Sequence, residues 1–495
     1  MLTEQQLRAL AEPVRSHFLR LERDIIERIC NRIRNIGRLT VSDARALDEL
    51  QRIGYDMRAI QREVASTLSV ATSQVYDIFA AAAEMEYNGM RSTFELTGRR
   101  FIPFAENEQL QRLVESISRA AVSDMSNMAH TIGFFNLRNH RQIPVSGGQF
   151  QELSEYYRNV IDYAALRVRT GQTDFYTAMR STIRELADRG LTSVHYESGY
   201  HRRLDTAVRA NMMDAQARLS MQQAFIVGEQ FGADGMEVTY HSGPRPSHEW
   251  IGGIQVDMQT FQRDVQPVMD EANCYHRAFP IIMGISPPTY SPNELSALKA
   301  QDAALHEWGG RRYTAYEAQQ LQRQYETEIR KQKDRVIAFS ATGDTANTAL
   351  ARARAAATQA EYRRFSNAMG IQTKPTRARV LGLTSSERSK LAARTKVVNR
   401  VEAVLLGVTT STGVKVREVS IHTVDRVVGR DVSAEAIKDA LTNTLRTGKI
   451  RVNRSQQFIG DNATAVLNID DGRVVTVWPT GTKDSARLRK AARKP

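Results

Sequence analysis

Asp48 to Met90 reads DELQRIGYDMRAIQREVASTLSVATSQVYDIFAAAAEMEYNGM. Its apolar residues recur at three- and four-residue intervals, the spacing of one face of an α-helix. ERDIIERICNRIRNI, Glu22 to Ile36, carries the same spacing upstream. After Gly37, Thr40-Val-Ser-Asp offers a start for the next helix. No proline falls between Pro13 and Pro103. Such lengths predict extended helices or a bundle, not a compact α/β enzyme. More helix is expected from Gln149 to about Gly228, interrupted near Gly171 and Gly190.

Beyond that point the pattern changes. Seven of the 13 prolines lie between Pro244 and Pro292, which predicts short strands and loops around a small core. From Asn293 to Lys374 proline vanishes again. YEAQQLQRQYETEIRKQKDRVIAF reads as a charged helix with opposite-sign pairs four residues apart, such as Glu326 and Arg330. TALARARAAATQAEYRRFSNAMG reads as its partner, ending near Gly370. The basic stretch IQTKPTRARVLGLTSSERSK reads as a linker. After it come a helix, SSERSKLAARTKVVNRVEAVLLG, and a second, AEAIKDAL, capped by Ser433 with Glu435 in its first turn. Four strand-like pieces close the chain: GKIRVN, QQFIG, TAVLNID and RVVTVWPT, with Asp471-Gly472 as a hairpin signal.

The expected fold is therefore multidomain and mainly α, with long helices, a small central α+β core and a C-terminal α+β domain holding an antiparallel sheet. The expected boundaries are a helical region at 1–228, a mixed core at 229–300, a helical pair at 301–372, a linker at 373–388 and the α+β domain at 389–495.

Composition bounds the function. The chain has 495 residues and is 41% hydrophobic, and no apolar run approaches the ~18 residues of a membrane span. The start lacks the basic and apolar regions of a signal peptide. Cys30 and Cys274 cannot make a disulfide framework, which points to a reducing compartment. The net charge of +13 is uneven. Residues 385–495 hold 21 Lys and Arg against 11 Asp and Glu, whereas the other 384 residues hold 47 against 44. A basic tail favours a polyanion such as nucleic acid, or serves solubility alone.

His241, Gly243, Arg245-Pro246-Ser247-His248, Asn273-Cys274 with His276, the Gly-Ile-Ser-Pro turn at Gly284, and Tyr316-Glu317-x-x-Gln320 leading to Arg330-Lys331 occur in that order. Together they resemble the phage minor capsid protein 2 family, which is related to the Mu F-like head morphogenesis proteins. The resemblance covers roughly residues 200–370 and extends more loosely to the N-terminal helices. Members of that family usually have NCRH or NCRC where this chain has NCYHR, so the arginine is displaced to Arg277. The resemblance implies a virion component present in few copies inside the head, with the portal protein, other capsid components and packaged DNA as partners, and no membrane.

His241, His248, Cys274 and His276 raise the question of a metal. Zinc takes His and Cys ligands, and Cys-x-His places two within reach. Yet Hx6H followed by CxH is not a standard zinc spacing, and the competing reading is a hydrogen-bonded knot that fixes loops. No cofactor is expected; His241, Cys274 and His276 are the residues to watch.

In the tail, His422, Arg426 and Arg430 precede a short helix, followed by Ser455-Gln-Gln-Phe458 and Thr476-Val-Trp478. That order resembles the barnase/EndoU/colicin/RelE-like group of small ribonuclease toxins. It implies metal-independent endoribonuclease chemistry, in which the RNA 2′-OH is the nucleophile, either carried with the DNA into the host cytoplasm or kept in the head, with an immunity protein as a further partner. On a helix, residues 422, 426 and 430 share a face. Histidine moves protons near neutral pH, and arginine's planar fork suits phosphate oxygens. Ser455 and Thr476 are the candidate oxyanion donors, Lys449 and Arg451 the added charge on a strand, and Trp478 the surface on which a base stacks. Two alternatives remain: a structural head protein whose tail only binds packaged DNA, and an ADP-ribosyltransferase tail, against which stands the lack of a Glu-x-Glu pair on the last strands.

Overall fold

Helical spacing, with Pro13 confined to the first turn of the first helix and no other proline inside these segments, gives α1 (Glu12–Arg38), α2 (Asp43–Asn88), α3 (Arg91–Leu96) and α4 (Glu108–His130). The computed structural model describes residues 6, 9–38, 43–130, 133–134, 151–152, 177, 180–181, 183–184, 187–188, 190, 192–194, 201–271, 274–430, 432–481 and 486. The start expected at Thr40 lies outside these, as do Gly171 and Asn273. α1, α2 and α4 share one core with α5 (Leu204–Phe231), in which Phe18, Ile25, Phe79, Tyr87, Leu110 and Leu219 are fully buried. Each such side chain contributes about 1.5–3 kcal/mol. Tyr87 stacks on Phe101 at 4.6 Å and donates its hydroxyl to the Ile102 carbonyl at 2.8 Å, so its polar tip is satisfied inside the core. Arg15 donates to Asp205 at 2.9 Å, a buried ion pair tying α1 to the first turn of α5.

Ahead of α5 the structure corrects the helical expectation. β1 (Gly133–Phe134), β2 (Gln151–Glu152), β3 (Thr192–Val194) and β4 (His201–Arg203) form a small antiparallel sheet in the order β2-β1-β3-β4. Gly190, at φ +59°, halts the helical positions before it, and the β-branched Thr192 and Val194 suit a strand.

The proline-rich stretch folds on α5. β5 (Gly235–Val238) lies between β6 (Gln255–Asp257) and β7 (Ala278–Ile281), antiparallel to both. Met236, Val238, Ile251, Phe261, Val265 and Ala278 are buried in one cluster with Met221 and Ala224 of α5. α6 (Pro292–Ala303) starts with a capping box between Ser291 and Glu294. The hairpin of β8 (His306–Trp308) and β9 (Arg311–Tyr313) interrupts what reads as a helical pair. Its two turn residues, Gly309 and Gly310, both have positive φ, as a two-residue hairpin turn requires.

By packing, the chain divides into two compact units. One holds Met1–Leu321, Ile337–Gly343 and Val380–Gly382; the other holds Gln322–Val336, Asp344–Arg379 and Leu383–Pro495. α7 (Ala315–Thr342) contributes its middle to the second, where it meets α8 (Thr345–Ala368). Much of that charged middle is out of solvent. Gln322, Glu326, Arg330, Gln332 and Asp334 are buried. Glu326 accepts from the Tyr362 hydroxyl at 3.0 Å and pairs with Arg377 at 3.6 Å, yet burial still holds its carboxyl above the usual range. The stretch that reads as a linker is held down: the Lys374 amide donates to Tyr362 Oη at 2.6 Å, Lys333 donates to the Ala378 carbonyl at 2.8 Å, and Ala378 is buried.

α9 (Ser385–Leu405), capped by Thr384, packs on α8: Leu391 and Val398 meet Ala355, Ala356 and Ala360. The Arg352–Glu387 pair at 2.7 Å and the Arg364–Glu402 pair fasten the two helices. Then follow β10 (Glu418–Val419), α10 (Ile421–Arg430), α11 (Ala434–Thr442), β11 (Arg446–Thr447), β12 (Ser455–Ile459), β13 (Ala463–Asn468) and β14 (Arg473–Pro479). The sheet order is β10-β14-β13-β12-β11. β11 to β14 pair antiparallel as expected, but β10 pairs parallel to β14, so the sheet is mixed. One face buries Phe458, Ala465, Leu467, Val474 and Val477 against α9 and α11. Gly460 permits that contact, since a Cβ there would lie 2.6 Å from Ala440 Cα.

Candidate functional site

The two clusters singled out in the sequence sit in different surroundings. In the first unit, Pro246 starts a short 3-10 turn that ends at His248, and the chain returns past it at Cys274 and His276. Cys274 Sγ lies 3.5 Å from His248 Nδ1 and 3.5 Å from His276 Nδ1. The two imidazole rings are 5.8 Å apart between centroids. On its far side His248 Nε2 meets Glu271 Oε2 at 3.1 Å, and Arg245 donates to the same oxygen at 3.0 Å. The hydrogen bond from His248 holds the Glu271 carboxyl below its ordinary range.

Burial dominates the electrostatics here. It pushes His276 down to about 3, with repulsion from His241, His248 and Arg277 adding to it. It raises the Cys274 thiol and lowers Arg277. Arg277 donates Nη1 to the His276 carbonyl at 3.1 Å, while its Nε and Nη2 and His276 Nε2 are buried without a hydrogen-bond partner. His241, expected as a possible ligand, stands apart from the thiol. Its ring centroid is 5.8 Å from that of His276 and 5.2 Å from that of Tyr275. Glu271 and Arg277 were not singled out as site residues by sequence. The signal for Glu271 was its position three residues before Cys274, too common a spacing to select it. Cys274, His276, Arg277 and Glu271 also line a cavity of about 340 Å³, with Asp214 and Arg209 of α5.

In the tail the structure brings together part of the predicted set. α10 is fixed at its start by Ser420, whose Oγ accepts from the Thr423 amide at 3.0 Å and donates to the Val475 carbonyl at 2.7 Å. Thr423 Oγ1 donates to the Val474 carbonyl at 2.9 Å. With Thr423 and Val424 turned inward, His422 is exposed, and Arg426 Nε donates to His422 Nε2 at 3.4 Å. Arg430 ends the same helix; its side chain lies outside the described residues.

The two hydroxyls do not come together. Ser455 is buried at the start of β12 and donates its Oγ to Asn453 Oδ1 at 2.7 Å. Thr476 lies on β14 opposite Val466, which is itself opposite Gln457. Two strand spacings and two residues thus separate Ser455 from Thr476, about 12 Å between Cα atoms. That is too far for both to donate to one oxyanion, which needs donors within ~3 Å of it. Trp478 is half-buried on β14 opposite Thr464. Lys449 and Arg451 are exposed, but on a loop, not on the strand expected at GKIRVN. The loop folds back because the Gly448 and Arg451 amides donate to the Gln457 and Ser455 carbonyls, and Arg454 turns the chain at φ +61°.

The sequence was also compared with known proteins. The model of a family described as phage minor capsid protein 2 matches residues 2–367, about three quarters of the chain. No curated protein and no solved structure matches it.

Proposed function

The chain belongs to the phage minor capsid protein 2 family, with a structural role in the phage head, and from that premise we propose that its C-terminal module is the part that meets nucleic acid. The body, to about residue 372, is the capsid component; it sits near the portal protein, inside the head. No described helix is long and apolar enough to cross a membrane. The observation that carries the reading is the basic edge of the tail. Arg446, Lys449 and Arg451 are exposed around β11 and its loop, and among the described residues no acidic partner neutralises them. Cations so placed bind phosphate by releasing counterions, without reading sequence.

The test is the salt dependence of binding by the full chain to duplex DNA. Each lost phosphate contact lowers the slope of log K against log salt by about 0.9. Replacing Arg446, Lys449 and Arg451 together by alanine should therefore reduce the slope by about 2–3. An unchanged slope rejects this edge as the binding surface.

A second reading rests on the His422–Arg426 contact: metal-independent cleavage of RNA, with His422 as general base or acid and Arg426, with Arg430, as phosphate clamp. In this reading Thr476 alone is the oxyanion donor, since Ser455 is buried against Asn453, Trp478 stacks a base, and an immunity protein restrains the activity in the host cytoplasm. The measurement is cleavage of single-stranded RNA by the full chain in EDTA. His422→Ala should slow it by about 10²–10⁴-fold. Intact RNA with the unaltered chain removes this reading and leaves the first untouched. The full chain is needed because a fragment beginning at 385 loses the α8 alanines on which α9 packs.

A further inference from the structure

We propose that His248, Cys274 and His276 form a zinc site, with His248 Nδ1, Cys274 Sγ and His276 Nδ1 as ligands. The proposal is independent of any activity in the tail. The three ligand atoms all lie within 4.8 Å of one another. Bonds of ~2.3 Å to sulfur and ~2.05 Å to nitrogen, at a tetrahedral angle, set a sulfur-to-nitrogen edge of about 3.6 Å. Both edges measured here are 3.5 Å. Two imidazole nitrogens converge on one sulfur at the separation that a tetrahedral ion dictates.

The surroundings match a ligand set as well. A histidine that binds metal through one nitrogen usually gives its other N–H to a carboxylate, which fixes ring and tautomer. His248 does this with Glu271, leaving Nδ1 to face the thiol, and Arg245 anchors the same carboxylate. His276 has no such partner: its Nε2, bare in a hydrogen-bonded knot or protonated with an ion on Nδ1, meets no hydrogen-bond group, so the ligand set rests on the three converging atoms and on His248 with Glu271. Three protein ligands leave a fourth position, and Cys274 and His276 border the cavity beside α5, from which water reaches it. Sulfur with two imidazoles suits zinc over magnesium or calcium, which prefer oxygen. Bound there, the ion would staple the 244–253 loop to the 274–277 segment.

The experiment uses the purified full chain, stripped with chelator and reloaded with zinc or cobalt(II). One zinc per chain by elemental analysis and a thiolate-to-cobalt charge-transfer band are expected. Cys274→Ser should abolish the band, and Cys30→Ser should keep it. Glu271→Gln should weaken zinc binding by about 10–100-fold while the fold, followed by circular dichroism, is kept. No charge-transfer band in the unaltered chain overturns the proposal, even where Cys274→Ser fails to fold. A band lost in Cys30→Ser but kept in Cys274→Ser overturns it equally.

Discussion

His276 and His422 make opposite use of the same side chain. His276 is 2% exposed, wedged between a thiol, two other histidines and a buried arginine. His422 stands in solvent on the outer face of a ten-residue helix, touched by one arginine. The first is held by its surroundings and contributes to the fold; the second is exposed, with a hydrogen bond from Arg426. Residue type flags both positions. Only burial, and the direction in which each ring is fixed, separates a residue that organises a core from one that faces solvent.

The contrast is broken most severely by removing what holds the exposed face in place. Phe458 is fully buried beneath the tail sheet, and Phe458→Ala should cost about 3–5 kcal/mol through lost contact and a cavity. Trp478 is the second unit's only tryptophan, so in a chain whose Trp250 and Trp308 are replaced by phenylalanine its fluorescence reports that transition separately, where the two units need not unfold in one step. If the Trp478 transition does not move, the core does not support this sheet.

Those cores were largely legible, and the polar detail was not. The long helices followed from spacing and absent proline, and the last three strands from strand-like pieces around the Asp471-Gly472 turn, whereas GKIRVN is mostly loop. Gly309-Gly310 carried a hairpin signal that the surrounding helical pattern outweighed. Burial of Glu326 and Arg330 was invisible, because a charged helix reads the same whether its partner is water or another helix. β10 escaped because two residues carry no period, and its pairing to β14 is set across more than 50 residues of chain. At the central cluster, residue type drew attention to Cys274 and His276, but which nitrogens face the sulfur is a property of the return of the chain, not of spacing. Ser455 and Thr476 share a sheet face, yet their separation depends on β13 lying between them.

A smaller effect sharpens the comparison through pH. In the chelator-stripped chain, His276 is held neutral by burial, down to about 3, against 6.5 for a free histidine. Between those values the unfolded chain binds a proton that the folded chain does not, so stability falls as pH drops from 6.5 towards 3 and is unaffected above. His276→Asn should remove this component and flatten the slope, while costing about 1–3 kcal/mol at neutral pH for lost contacts. Denaturant midpoints for both chains across that range decide the matter. An unchanged slope in the variant means that His276 is not the group excluded from protonation.

The smallest effect concerns His422. An exposed side chain whose one contact is a 3.4 Å hydrogen bond from an exposed helix face has little to lose on truncation. His422→Ala should move stability by no more than about 0.5 kcal/mol, with the Trp478 transition in place. α10 keeps its position because Ser420 and Thr423, not His422, bind the β14 carbonyls. The contrast with His276 then appears as a difference in kind. A change at 276 would be read in the unfolding curve, and a change at 422 only in what the tail binds or does. A loss at His422 as large as that at His276 would mean that the ring is structural after all, and that any lost function in this variant reports a damaged helix and not a missing proton carrier.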